Sequence, residues 1–96
     1  MGAMQVAAID NFRTNLRHAM KILEISQRDL AKHAQTGYPY LNRILKGKAD
    51  PSLPMCDRLA EATGYTLECL IQSPSEFQQA TRMSRRMRNS SVISIS

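Results

Sequence analysis

Apolar residues along this chain recur at helical spacing and alternate only at its very end. Phe12, Leu16, Ala19, Met20 and Leu23 repeat at i, i+4, i+7, i+8 and i+11 behind Asp10, a good N-cap. That pattern predicts a first helix over roughly 11–24. Ile25 interrupts it. Ser26, with Asp29 three residues on, has the form of a capping box with Asp in place of the usual Glu. It opens a second helix over about 27–34, with Leu30, Ala31 and Ala34 inward. Gln35-Thr36-Gly37 breaks that helix. Tyr38 and Pro39 fit the first turn of a third, where a missing N–H costs nothing. Leu41, Ile44 and Leu45 form its apolar side, and Gly47 ends it. Asp50-Pro51-Ser52 is a turn and a new cap. Leu53, Cys56, Leu59 and Ala60 then give a fourth amphipathic helix, stopped by Gly64. Thr66 caps a short fifth helix whose inward residues are Leu67, Leu70 and Ile71.

Five short helices with brief loops predict an all-α bundle over 10–71. Residues 1–9 read as an N-terminal arm, and the opening Met-Gly-Ala-Met as an appended remnant without function. Residues 72–96 read as a C-terminal extension. There Ser73 caps, Pro74 takes the first helical position and Glu76 closes the box. This helix is expected to reach about Arg88, past the five-helix domain, with a narrow stripe of Phe77, Ala80, Met83 and Met87. Asn89-Ser90-Ser91 breaks it. Val92-Ile93-Ser94-Ile95-Ser96, rich in β-branched residues, reads as a short β-strand. A lone strand needs a partner, and the simplest is the same strand of a second copy across a two-fold axis. The stripe is too narrow for burial in a core but suits a helix–helix seam. Residues 73–96 are therefore expected to form a homodimer.

Composition narrows the class. The chain has 96 residues, enough for one domain and a tail, and 43% apolar with 22% charged residues is a globular balance. No apolar run approaches the roughly 18 residues of a membrane span. No basic start leads into an apolar stretch, so no secretory signal is expected. Cys56 and Cys69, thirteen apart, fit no metal motif and read as reduced thiols of a cytoplasmic protein. Net charge is +5, and its distribution says more than its sum. Residues 26–50 and 72–96 are each basic, the second through Arg82, Arg85, Arg86 and Arg88, while 51–71 is acidic. A basic patch on a small domain suggests a polyanion partner.

Two short helices joined by a tight turn, the second rich in polar residues, are the layout of a helix-turn-helix. The second helix must lie in a major groove about 12 Å wide with its N-terminal side chains at base edges. The pair needs a small residue where the helices cross, and Ala31 supplies it. Leu41 and Ile44 back the reading helix.

Several pieces then occur together at fixed spacing: Ser26-Gln27-Arg28-Asp29-Leu30-Ala31-Lys32-His33-Ala34, Tyr40-Leu41-Asn42-Arg43-Ile44, Lys46-Gly47-Lys48 and Pro51-Ser52-Leu53. Over roughly residues 10–71 they resemble the phage repressor/Cro-like helix-turn-helix family, the Xre family. Gly64-Tyr65-Thr66-Leu67-Glu68-Cys69-Leu70 fits that family's last helix. The resemblance implies a five-helix lambda-repressor-like DNA-binding domain. Three positions depart from the pattern. Gln35 stands where the family usually has Gly in the turn, so a different turn is expected, because Gln is strained at positive φ. Gly37 replaces the usual Ser or Thr cap. Leu45 stands where an acidic residue usually follows the Ile of the reading helix.

Carried over position by position, the resemblance implies that Gln27 touches a phosphate or an outer base. It implies that Tyr38, Pro39, Asn42 and Arg43 face the groove. Arg43 would pair with guanine and Asn42 with adenine, each worth about 1–3 kcal/mol of discrimination. Tyr38 would meet the backbone or a thymine methyl. Lys46 and Lys48, in the following loop, would sit on phosphates.

Nothing in the chain reads as an enzyme. His18 and His33 each lack a carboxylate or thiol at a useful spacing, and neither a glycine-rich phosphate loop nor a paired-carboxylate motif occurs. No cofactor or metal is implied. The expected partner is double-stranded DNA, read as an inverted repeat by a homodimeric transcriptional regulator that represses by occupying its operator. The alternative is an antitoxin-type interaction module whose tail binds a partner protein.

Overall fold

The computed structural model describes residues 2–82, with side chains from residue 7 onward. Six helices and no strand occur among the described residues. They are α1 (Gly2–Leu23), α2 (Gln27–His33), α3 (Tyr38–Leu45), α4 (Leu53–Thr63), α5 (Leu67–Leu70) and α6 (74–82).

Four of the five side-chain caps expected from the sequence form, all except Asp10. The hydroxyls of Ser26, Ser52 and Thr66 accept the backbone N–H three residues on, from Asp29, Met55 and Cys69, at 3.1, 3.2 and 3.1 Å. Each satisfies one of the N–H groups that a helix start leaves without a partner. Ser73 caps α6, accepting the Glu76 N–H at 3.3 Å, and its hydroxyl, rather than its backbone N–H, donates to the Glu76 carboxylate at 2.8 Å. α1 differs from expectation. It starts at Gly2 rather than near residue 11, because Ala3 to Ala8 are helix-compatible and Asp10 does not cap. The Asp10 carboxylate instead accepts from Arg13 one turn on, at 3.3 Å.

The turn between α2 and α3 also differs from expectation, and here the departure in sequence does not change the backbone. Gln35 adopts φ +57°, the left-handed conformation a Gly would take. Thr36 N–H reaches back to Ala31 C=O at 2.9 Å and Gln35 N–H to Lys32 C=O at 3.1 Å, a Schellman closure. The same closure ends α1 at Glu24, φ +56°, and α3 at Gly47, φ +78°. The helix end imposes the geometry, and Gln35 bears its cost. Gln35→Gly should therefore stabilise the protein by about 0.5–1 kcal/mol. A rise of roughly 2–8 °C in melting temperature would register it, and a fall would show that the left-handed position is not strained.

One core joins all six helices. Phe12, Leu16 and Ala19 of α1 meet Leu30 and Ala31 of α2, Leu41, Ile44 and Leu45 of α3, Leu59 and Ala60 of α4, and Leu70 of α5. Phe77 belongs to it as well. The stripe that begins at Phe77 is thus not solely an external seam. Phe77 is fully buried and meets His18 and Tyr65 edge-on, at ring distances of 5.8 and 5.3 Å. Met83, Met87, the end of the extension helix and the strand over 92–96 lie outside the described residues. Asn15, buried on the apolar face of α1, donates to Leu70 C=O at 2.8 Å and Gln72 C=O at 2.7 Å, pinning the passage from α5 to α6. Two residues expected inward are not. Leu53 is 68% exposed and Ile71 40%. Both lie on a groove of about 420 Å³ lined by Ala8, Ile9, Phe12 and Leu67. Periodicity finds the apolar face of a helix, but not whether another element covers it.

Candidate nucleic-acid interface

α2 and α3 form a two-helix unit in which α3 is buried along one side and polar along the other. Leu41, Ile44 and Leu45 are at most 2% exposed, with Leu30 and Ala31 of α2 behind them. Leu45 takes the position of an acidic residue by packing into the core. The face opposite carries Tyr38, Pro39 and Arg43, all exposed, and half-buried Asn42. Gly37 caps α3 with its backbone alone, and Pro39 occupies the first turn.

The structure joins Gln27 to Asn42, leaves Tyr38, Pro39 and Arg43 exposed on α3, and leaves Lys46 and Lys48 exposed at its end and in the loop that follows. Gln27 opens α2, half-buried, and its Oε1 accepts from Asn42 Nδ2 at 2.9 Å. That bond ties the start of α2 to the middle of α3. It uses one of the two Asn42 amide protons and leaves its Oδ1 and second proton free, the pair an adenine edge requires. Lys46 and Lys48 are exposed in the loop closed by Lys48 N–H donating to Arg43 C=O at 2.8 Å.

Two arginines important to this face carry no helix-period signal. Arg28 lies over the Tyr38 ring, 4.8 Å from its centroid. Arg13, on α1, reaches across to the far end of α3. Its Nε donates to Ile44 C=O at 2.8 Å, and one terminal nitrogen donates to Ala49 C=O at 3.1 Å and to the Asp50 carboxylate at 2.6 Å. Among the described residues the salt bridges run only through Arg13, so Arg28, Arg43, Lys46 and Lys48 keep their charge unpaired there. Thus α1 anchors the last turn of α3 and the lysine-bearing loop, and Gln27 and Arg28 hold its first two turns.

A short, polar-faced helix, backed by a buried stripe and set on a second helix through a tight left-handed turn, is the geometry that presents side chains to a nucleic-acid groove. The family profile described as Helix-turn-helix matches residues 16–68. The chain belongs to the helix-turn-helix family. The match spans α2, the turn and α3, and it agrees with the phage repressor/Cro-like, Xre-type pattern of the sequence. The family is one of DNA-binding regulators. No curated protein matches the chain.

Burial pushes the Cys56 thiol up from its ordinary range, and the neighbouring Asp57 carboxylate adds to the rise. Burial raises Cys69 in the same way. Among the described residues no group of His, Cys, Asp and Glu could hold a metal ion, and no helix is long and apolar enough to cross a membrane.

Proposed function

We propose that this chain is a sequence-specific transcriptional regulator, a cytoplasmic repressor without enzymatic activity, that binds an operator through α3 in the major groove. One observation carries this reading. Tyr38 and Arg43 are exposed on α3 while Leu41, Ile44 and Leu45 of the same helix are wholly buried, so core packing does not explain these two side chains. Arg43 supplies the planar fork for a guanine edge, and Asn42, oriented by Gln27, supplies the donor and acceptor for an adenine. Tyr38 and Pro39 meet the backbone or a thymine methyl. Lys46 and Lys48 neutralise phosphates and fix the register.

A single α3 touches too few bases to define a site, so we infer a homodimer reading an inverted repeat one helical turn apart. The chain beyond the core supplies the contact. The burial of Phe77 changes how this must be tested. Ending the chain at Ile71 would remove a core residue along with the tail, whereas ending it at Arg82 keeps every core residue among the described ones.

The test combines selection from a random duplex pool with light scattering, on the full chain and on residues 1–82. An enriched inverted repeat, a dimeric full chain and a monomeric 1–82 chain are expected. Binding should also weaken steeply with salt as counterions are released. Binding that shows no enriched sequence and only fades with salt would sink base readout. A dimeric 1–82 chain would sink the role of the tail.

A further inference from the structure

We propose that Arg28, stacked on Tyr38, is a further base-reading residue of this domain and reads a guanine at the outer end of the half-site. The inference rests on the operator-binding function proposed above. It begins with a contact that neither the core nor any ion pair requires. Arg28 is exposed on the second residue of α2, and Tyr38, 38% exposed, is the first residue of α3. The guanidinium lies over the ring at 4.8 Å from its centroid. Among the described residues no carboxylate pairs with Arg28, although Asp29 is adjacent in sequence.

Parallel stacking, the arrangement a planar guanidinium favours over an aromatic ring, uses one face of the group and leaves its edge, with the N–H donors, open. It also fixes the plane of the group. A phosphate accepts a cation from many directions and gains little from a fixed plane. A guanine edge presents O6 and N7 in one plane, which a pre-oriented fork matches with two parallel hydrogen bonds. The location agrees with this. The Gln27–Asn42 pair and Arg43 lie further along α3, toward its middle and last turn, while the Arg28–Tyr38 stack stands at its first residue. The reading surface is thus longer than α3 itself, and its outer end is built from two helices. Tyr38 then acts as a positioning residue: its ring holds the arginine plane.

The experiment repeats the duplex selection with the full chain carrying Arg28→Ala, Arg28→Lys, Tyr38→Phe, Tyr38→Leu and, as a control, Arg43→Ala. Both side chains are exposed, and circular dichroism melts confirm that the variants fold. Arg28→Ala and Arg28→Lys should each lose the preference for guanine at one outer position while the other positions persist. Affinity for the wild-type site should fall by about 10- to 100-fold. Tyr38→Phe, which keeps the ring, should retain the guanine preference, and Tyr38→Leu should weaken it. Arg43→Ala should erase a different, inner position.

An Arg28→Ala variant that selects the wild-type site with unchanged affinity would overturn the proposal. So would one that loses affinity equally for every sequence, with a salt dependence shallower by about one ion, which marks a phosphate contact. If the wild-type chain and Arg43→Ala enrich no sequence at all, the operator-reading function itself fails. If the wild-type chain enriches a site and Arg43→Ala alters it while Arg28→Ala does not, only the role of Arg28 fails.

Discussion

Phe77→Ala is expected to lower the unfolding free energy by about 3–5 kcal/mol, the cost of removing a fully buried aromatic from a packed core. A domain of this size has only about 5–15 kcal/mol in total, so the loss is a large share of it. The ring is completely covered, packs edge-on against His18 and Tyr65, and joins the same cluster as Leu16 and Leu70. Removing it deletes transfer energy and leaves a cavity that the helices cannot close without moving. The melting temperature should fall by on the order of 12–40 °C, read by circular dichroism. Phe77→Leu, which keeps most of the volume, should recover most of that loss. An alanine variant that melts with the wild type would mean that α6 is not docked on the bundle. The functional consequence is direct. A chain ended at Ile71 keeps every residue of the reading face yet exposes Leu70 and Tyr65, so its loss of DNA binding would report unfolding rather than lost contacts.

The position of Phe77 also shows where sequence reasoning reaches its limit. What depends on residues three or four apart was legible. Ser26, Ser52, Thr66 and Ser73 cap where they stand because the hydroxyl and its target N–H are fixed by local chain geometry. The division of α3 into buried Leu41, Ile44 and Leu45 and open Tyr38 and Arg43 follows from the 3.6-residue period. What depends on how elements meet was not legible. Phe77, Ala80 and two methionines on one stripe give the same pattern whether the stripe seeks a second chain or this one's core. Leu53 and Ile71 have the right spacing to be inward but remain exposed among the described residues. Gln35 was misleading for a different reason. The closure of a helix end outweighs the modest cost of a side chain at positive φ, so the family's turn survives without its glycine. At the interface, single residues were visible but their pairings were not. Asn42 with Gln27, and Arg28 with Tyr38, meet only because α2 and α3 cross at a particular angle.

Arg13→Ala is the second large expected effect, and it tests how α3 is held. The Arg13 side chain is only 11% exposed, and its partners outside α1 lie 31 to 37 residues away in sequence, which is why no motif announces it. Its ion pair with Asp50 contributes little by itself, because that carboxylate is 72% exposed and water screens the attraction. The hydrogen bonds to Ile44 and Ala49 matter more, since a charged donor to a carbonyl is worth about 1.5–3 kcal/mol. Losing the fork should cost about 2–4 kcal/mol in all. Asp50→Asn, by contrast, should cost less than about 1 kcal/mol. Arg13→Lys keeps the charge, but a single ammonium cannot span both carbonyls in the guanidinium's planar arrangement. It should therefore recover only part of the loss. Arg13 closes the far end of α3 and the loop bearing Lys46 and Lys48, so its removal should also loosen DNA binding at temperatures where the variant remains folded. That loss should be accompanied by a shallower salt dependence, because the lysines no longer hold their phosphates in register. An Arg13→Ala variant with wild-type melting and wild-type salt dependence would show that α3 is positioned by its buried face alone. In that case Leu41, Ile44 and Leu45 would set the angle at which the reading helix leaves the bundle, and the guanidinium would merely fill the space beside it.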